Sequence, residues 1–196
     1  MNAIERRPAM NSLMPVVVGA LILAAAIQLV FGIPLAALEE PTSPAYPWVT
    51  AINVLHHLLL IVGVVGLAIS GATGRGRLAI SGLALALFGL AVLTIAEPTS
   101  VVKMSAANML YNIAIPATAL GLILAGAAVL RARRWSGWHR FTPLACGVFI
   151  PLVIVPSFAL PGLAFHHAIG VWGICWLLMG LSLRAEPAVG AQPPRA

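Results

Sequence analysis

A chain of 196 residues that is 61% hydrophobic and only 8% charged cannot be a soluble domain, which carries about 25% charged residues at this size. A mean hydropathy of +1.01 makes lipid the natural solvent. The net charge of +6 suggests a nucleic-acid partner until its placement is read, and the placement excludes that function class.

A bilayer core takes about 20 apolar residues per helix, and six stretches qualify. They run over 11–32, 50–72, 77–97, 104–131, 141–160 and 162–183. Backbone groups cannot stay unpaired in hydrocarbon, so each stretch is expected to be a helix. No alternating barrel pattern competes with that reading.

In chain order, Arg6 and Arg7 precede the first stretch, whose only strongly polar residue in its second half is Gln28. That stretch is longer than a signal-peptide core and is read as a true span. Glu39 and Glu40 follow in the word Glu40-Pro41-Thr42-Ser43, with Tyr46 and Trp48 as anchors at the interface. Asn53, His56 and His57 lie early in the second span. The glycine-rich loop after it lacks the lysine and strand context of a phosphate loop. Span three ends at Glu97-Pro98-Thr99-Ser100, where proline is expected to stop the helix. Both Glu-Pro-Thr-Ser words therefore read as loop punctuation, with Glu40 and Glu97 overhanging what lies below and Glu39 as a solvated neighbour. Asn108, Tyr111 and Asn112 open the fourth span, which Pro116 kinks.

The loop Arg131–Arg140 mixes arginines with Trp135 and Trp138, the composition of an anchor at lipid headgroups, and holds His139. Cys146, Pro151, Pro156 and Ser157 belong to the fifth span, and His166, His167 and Cys175 to the sixth. The two cysteines form no CxxC pair and read as small apolar residues. Gly63, Gly66, Gly82, Gly89, Gly121, Gly126, Gly170 and Gly173 read as helix-packing positions. Residues 186–196, rich in proline and small residues, read as a disordered cytoplasmic tail.

Ten arginines fall at the two ends and the second and fourth loops, giving net +8, whereas Lys103 and three glutamates give −2 on the other side. The positive-inside rule then sets both termini in the cytoplasm and the chain in a plasma (inner) membrane. Heavy use of Ala, Gly and Arg points to a GC-rich bacterium. A repeat organises the whole: the word at Glu40 recurs 57 positions later at Glu97, and Asn53 and His56/His57 match Asn108 and Tyr111/Asn112 at an offset of 55. His166/His167 stand a further 55 on. The expected fold is an all-α membrane bundle of six helices in a single domain, residues 1–185, built from hairpin repeats at about 11–72, 77–131 and 141–183.

Equivalent helices would place His56/His57, Tyr111/Asn112 and His166/His167 in one layer, about 6–12 Å below the outer interface. Ionisable groups at such depth face the bundle interior and mark function. Imidazole ligates haem iron, copper and zinc, so the leading expectation is a haem b or transition metal in a redox or accessory role. His56, His57, His166 and His167 are the candidate ligands and His57/His167 the metal pair, with Asn53, Asn108, Asn112 and Glu40 as polar support. No span carries two histidines several turns apart, which argues against a two-haem electron chain. A second reading is a cofactor-free enzyme on an isoprenoid-like substrate, with Glu97, His57 and Tyr111 as acid–base groups. A third is a transporter or a subunit of a membrane complex. Expected partners are the bilayer, a quinone or other lipophilic small molecule and membrane-complex subunits, with no nucleic acid.

Overall fold

The computed structural model describes residues 6–186, with side chains from residue 13 onward. Six segments are long and apolar enough to cross a bilayer, and no strand occurs among the described residues. The chain is a multi-pass membrane protein. Helix α1 spans Arg6–Gly32 and leads through a 3-10 turn, Ala36–Glu39, to α2 at Tyr46–Ile69. Then come α3 (Arg77–Val102) and α4 (Met104–Ala132), separated by Lys103 alone. The fifth crossing is broken into α5 (Thr142–Phe149), a π turn (Ile150–Ile154) and α6 (Val155–Ser157), and α7 (Ala164–Ala185) completes the set. The tail expected to be disordered lies, apart from Glu186, outside the described residues.

Local sequence explains most boundaries. Pro47 and Pro143 sit in the first turns of α2 and α5, where a missing N–H is harmless. Pro151 sits in the π turn, where the Val155 N–H reaches back to the Ile150 carbonyl. Pro98 corrects the expectation: α3 does not stop at Glu97 but continues to Val102 with Pro98 inside it. Ending the helix there would strand its last carbonyls away from water, a worse outcome than losing one bond at proline. The Thr99 hydroxyl donates to the Ile95 carbonyl at 2.8 Å, and Ser100 donates to that of Glu97 at 2.6 Å. Lys103, extended at φ −152°, is what ends α3. The identical word at Glu40 is irregular loop, closed by Ser43 N–H on the Glu40 carbonyl at 2.8 Å. The two copies of one word thus fold differently.

The crossings pack as a ring in chain order, α1–α2–α3–α4–α5–α7, closed by α7 against α1. At one end stand Arg75, Arg77, Arg131, Arg133, Arg134, Arg140 and Arg184, and Arg134 ties two loops by donating to the Gly71 carbonyl at 2.7 Å. This arginine half is solid: Leu21, Leu67, Leu122, Trp176, Met179 and Leu183 are all buried there. The opposite, histidine half is hollow.

Candidate functional site

The hollow is a cavity of about 790 Å³ reached by side chains of every crossing. Its floor is Leu93, Thr118, Ile150 and Trp172. One wall is polar and centres on Glu97, which α3 carries inward because Pro98 leaves the helix intact. Glu97 is only 9% exposed. The His57 Nδ1 stands 3.9 Å from its carboxyl oxygen, and Asn53 and Tyr111 reach the same carboxyl. Tyr46, at the start of α2, donates to the Ser100 hydroxyl at 2.7 Å, and Ser100 donates to the Glu97 backbone. Helices α2 and α3 are thereby tied together beside one acid, with Tyr111 of α4 lining the same cavity.

Glu39 completes this wall from above. The 3-10 turn tucks it under the loop, so it lines the cavity together with Asn53 and Glu97. Its expected role as a solvated neighbour is therefore corrected. Burial pushes the Glu39 carboxyl up to about 7, with the Asn53 hydrogen bond pulling the other way.

The histidine pairs split by direction, as neighbours about 100° apart on a helix must. His56 Nδ1 bonds the Ala24 carbonyl at 3.1 Å and ties α2 to α1, while His57 faces Glu97. On α7, His166 lines the cavity, 3.9 Å from Glu39 by Nε2 and 3.9 Å from Glu40 by Nδ1. A close crossing puts it there. A Cβ on Gly32 would fall 2.5 Å from the Gly170 Cα and 2.8 Å from the His166 carbonyl oxygen, so only glycine lets α1 and α7 approach this near. His167 is exposed and does not line the cavity. The expected metal pair His57/His167 is not brought together. Among the described residues no three His, Cys, Asp or Glu side chains converge as a metal shell.

Asn108 and Asn112 are exposed, yet both line the cavity, and with Met104 and Pro116 they mark one face of α4. Across from them stand Val155 and Phe158, also exposed and also lining it. Helix α4 packs against α5, touches the π turn slightly and does not meet α6. The ring is therefore open between α4 and α6, a side portal that begins at the level of the π turn. Phe158 and Phe165 stack beside it with ring centroids 4.2 Å apart.

Several buried polar atoms along this cavity have no partner: Gln28 Oε1, His56 Nε2, His57 Nδ1, Thr118 Oγ1 and His166 Nδ1. Leaving such a group unpaired costs about 1–3 kcal/mol, and these five belong to residues that line one hollow. Tyr46, Trp172 and the phenylalanine pair were not legible as site residues. Tyr46 reads as a surface anchor until its bond to Ser100, 54 positions away, is seen. Comparison with known family models, curated proteins and solved structures finds no match to this chain.

Proposed function

We propose that this protein is a multi-pass plasma-membrane protein that binds a lipophilic small molecule inside its ring, with the polar head against Glu97, Asn53, His57 and Tyr111. The carrying observation is the cavity itself, which sets a buried acid–amide–imidazole wall opposite Ile154, Phe158, Phe165 and Ile169. Such a division suits an amphiphile, since buried polar groups need partners and apolar surface needs burial. The portal between α4 and α6 supports access from lipid rather than water. The solid arginine half supports a dead-end pocket over a through-channel. Arginines gathered at that solid end support a cytoplasmic placement for it, with both termini there and the pocket in the outer half.

In this reading Glu97 and His57 act as a proton-exchanging pair for the head group, with Tyr111 and Asn53 orienting the carboxyl. The test is extraction of the native chain in lipid nanodiscs followed by native mass spectrometry and lipid analysis. A co-purifying lipophile that is lost on Asn112→Trp, which fills the portal, is the expected result. An unliganded native chain that takes up no amphiphile overturns it. The unpartnered His57 and His166 nitrogens favour one further reading, a haem b or transition metal between α2 and α7. An absorbance spectrum separates the two, because a Soret band lost on His57→Ala would assign the cavity to haem.

A further inference from the structure

We infer that the head group is a cation: the cavity takes a lipophilic amine in its ammonium form, the nitrogen held between Glu39 and Glu97 and the chain leaving by the α4–α6 portal. This rests on the cavity reading above and narrows its substrate class.

Charge carries the first step. The carboxyl side chains lining the cavity are Glu39 and Glu97, and no lysine or arginine lines it. Every described arginine lies in the loops and helix ends of the opposite half, and Lys103 does not line the cavity either. The neighbours of the two acids are an amide, a phenol and imidazoles. A buried carboxylate without a cation is expensive, and two that share Asn53 repel each other. An ammonium between them relieves both penalties, whereas an anionic head would add a third like charge.

Donor–acceptor chemistry carries the second. Gln28 is 5% exposed, lines the cavity and has an unpartnered Oε1, which can only accept. With Glu39 and Glu97 it gives the cavity lining three side chains able to accept from the N–H donors of an ammonium. Aromatic faces carry the third. Tyr46, Tyr111, Phe165 and Trp172 line the same cavity, and rings at such positions attract cations by their quadrupoles.

The experiment compares dodecylamine, dodecanol and dodecanoate on the native chain in nanodiscs, read by native mass spectrometry. Dodecylamine is expected to bind at least tenfold tighter than dodecanol at neutral pH, and dodecanoate not to compete. Glu97→Gln should cut dodecylamine binding about tenfold and lower dodecanol binding far less, so that the amine-to-alcohol ratio falls. Glu39→Gln, on the loop side of the cavity and outside the packed helices, should do the same if Glu97→Gln fails to fold. Dodecanol binding as tightly as dodecylamine, or an amine-to-alcohol ratio unchanged in both variants, overturns the cation and leaves the cavity reading standing. A native chain that binds none of the three overturns both.

Discussion

Replacing Gly121 by alanine should loosen the α3–α4 pair that carries Glu97 and Tyr111. An ideal Cβ there would lie 2.6 Å from the Ala86 Cα and 2.8 Å from the Leu85 carbonyl carbon, with the Ala86 nitrogen closer still. Ordinary contact begins near 3.4 Å, so the Ala86 Cα alone would require the helices to part by about 0.8 Å and the closer nitrogen requires more. All the obstructing atoms are backbone, and no rotamer relieves them. Overpacking typically costs about 1–3 kcal/mol. The upper part of that range, about 2–3 kcal/mol, applies here. In lipid such a pair is held mainly by van der Waals packing, which falls steeply with separation. The control is Gly19→Ala, where nothing lies within 4 Å of the added methyl group. Alanine there should leave stability unchanged or raise it by up to about 1 kcal/mol through helix propensity. Unfolding in mixed micelles by added dodecyl sulfate, followed by circular dichroism, gives both midpoints. Agreement of the two variants within about 0.5 kcal/mol would refute the close-crossing argument.

Trp172 donates its indole N–H to the Cys146 carbonyl at 2.8 Å in a buried contact between α7 and α5, so Trp172→Phe should lose about 1–2 kcal/mol in the same assay. A loss under about 0.3 kcal/mol would show that the bond contributes nothing. Glu39 supplies a pH dependence. Its carboxyl is raised from 4.5 to about 7, so between those values the folded chain keeps a proton that the unfolded chain has released. Stability therefore falls as pH rises from 4.5 to about 7, by at most about 3 kcal/mol, and levels off above that; Glu39→Gln should remove this part of the fall. Parallel pH profiles for the native chain and that variant would contradict the burial of Glu39. The histidine pairs should behave asymmetrically. His167→Ala should leave ligand binding and stability within about 0.5 kcal/mol of native, as exposed sites do. His57→Ala should lower binding at least tenfold, and equal effects of the two would overturn the inward assignment.

The six crossings were legible because their signal is one of length and hydropathy, which no tertiary contact can reverse. Their ends were less so, and Pro98 shows why. In water a proline after a helical residue marks an end, since the freed carbonyls find solvent. In a bundle interior that alternative is missing, and the hydroxyls of Thr99 and Ser100 supply local acceptors with partners. The sequence word is the same at Glu40, where the chain lies at the end of the ring and loops. Context decided the conformation, and with it which glutamate enters the cavity at helical depth.

The polar layer was legible as a depth, and its geometry was not. The pairs His56/His57, Tyr111/Asn112 and His166/His167 were expected in one layer, and all of these residues except His167 line one cavity. Which member of the His166/His167 pair turns inward depends on helix rotation, which neighbouring helices set. The Gly32–Gly170 contact fixes that rotation for α7 and sends His167 out. The portal begins beside a single π turn, one extra residue per turn in the hydrogen-bond ladder, which no composition reveals although Pro151 marks its place. The same turn separates two jobs of the fifth crossing: α5 seals the arginine half against α4, and α6 stands clear of it. The gap between α4 and α6 thus begins where the fifth crossing passes from α5 into the π turn, beside the cavity that Val155, Phe158 and Asn112 line.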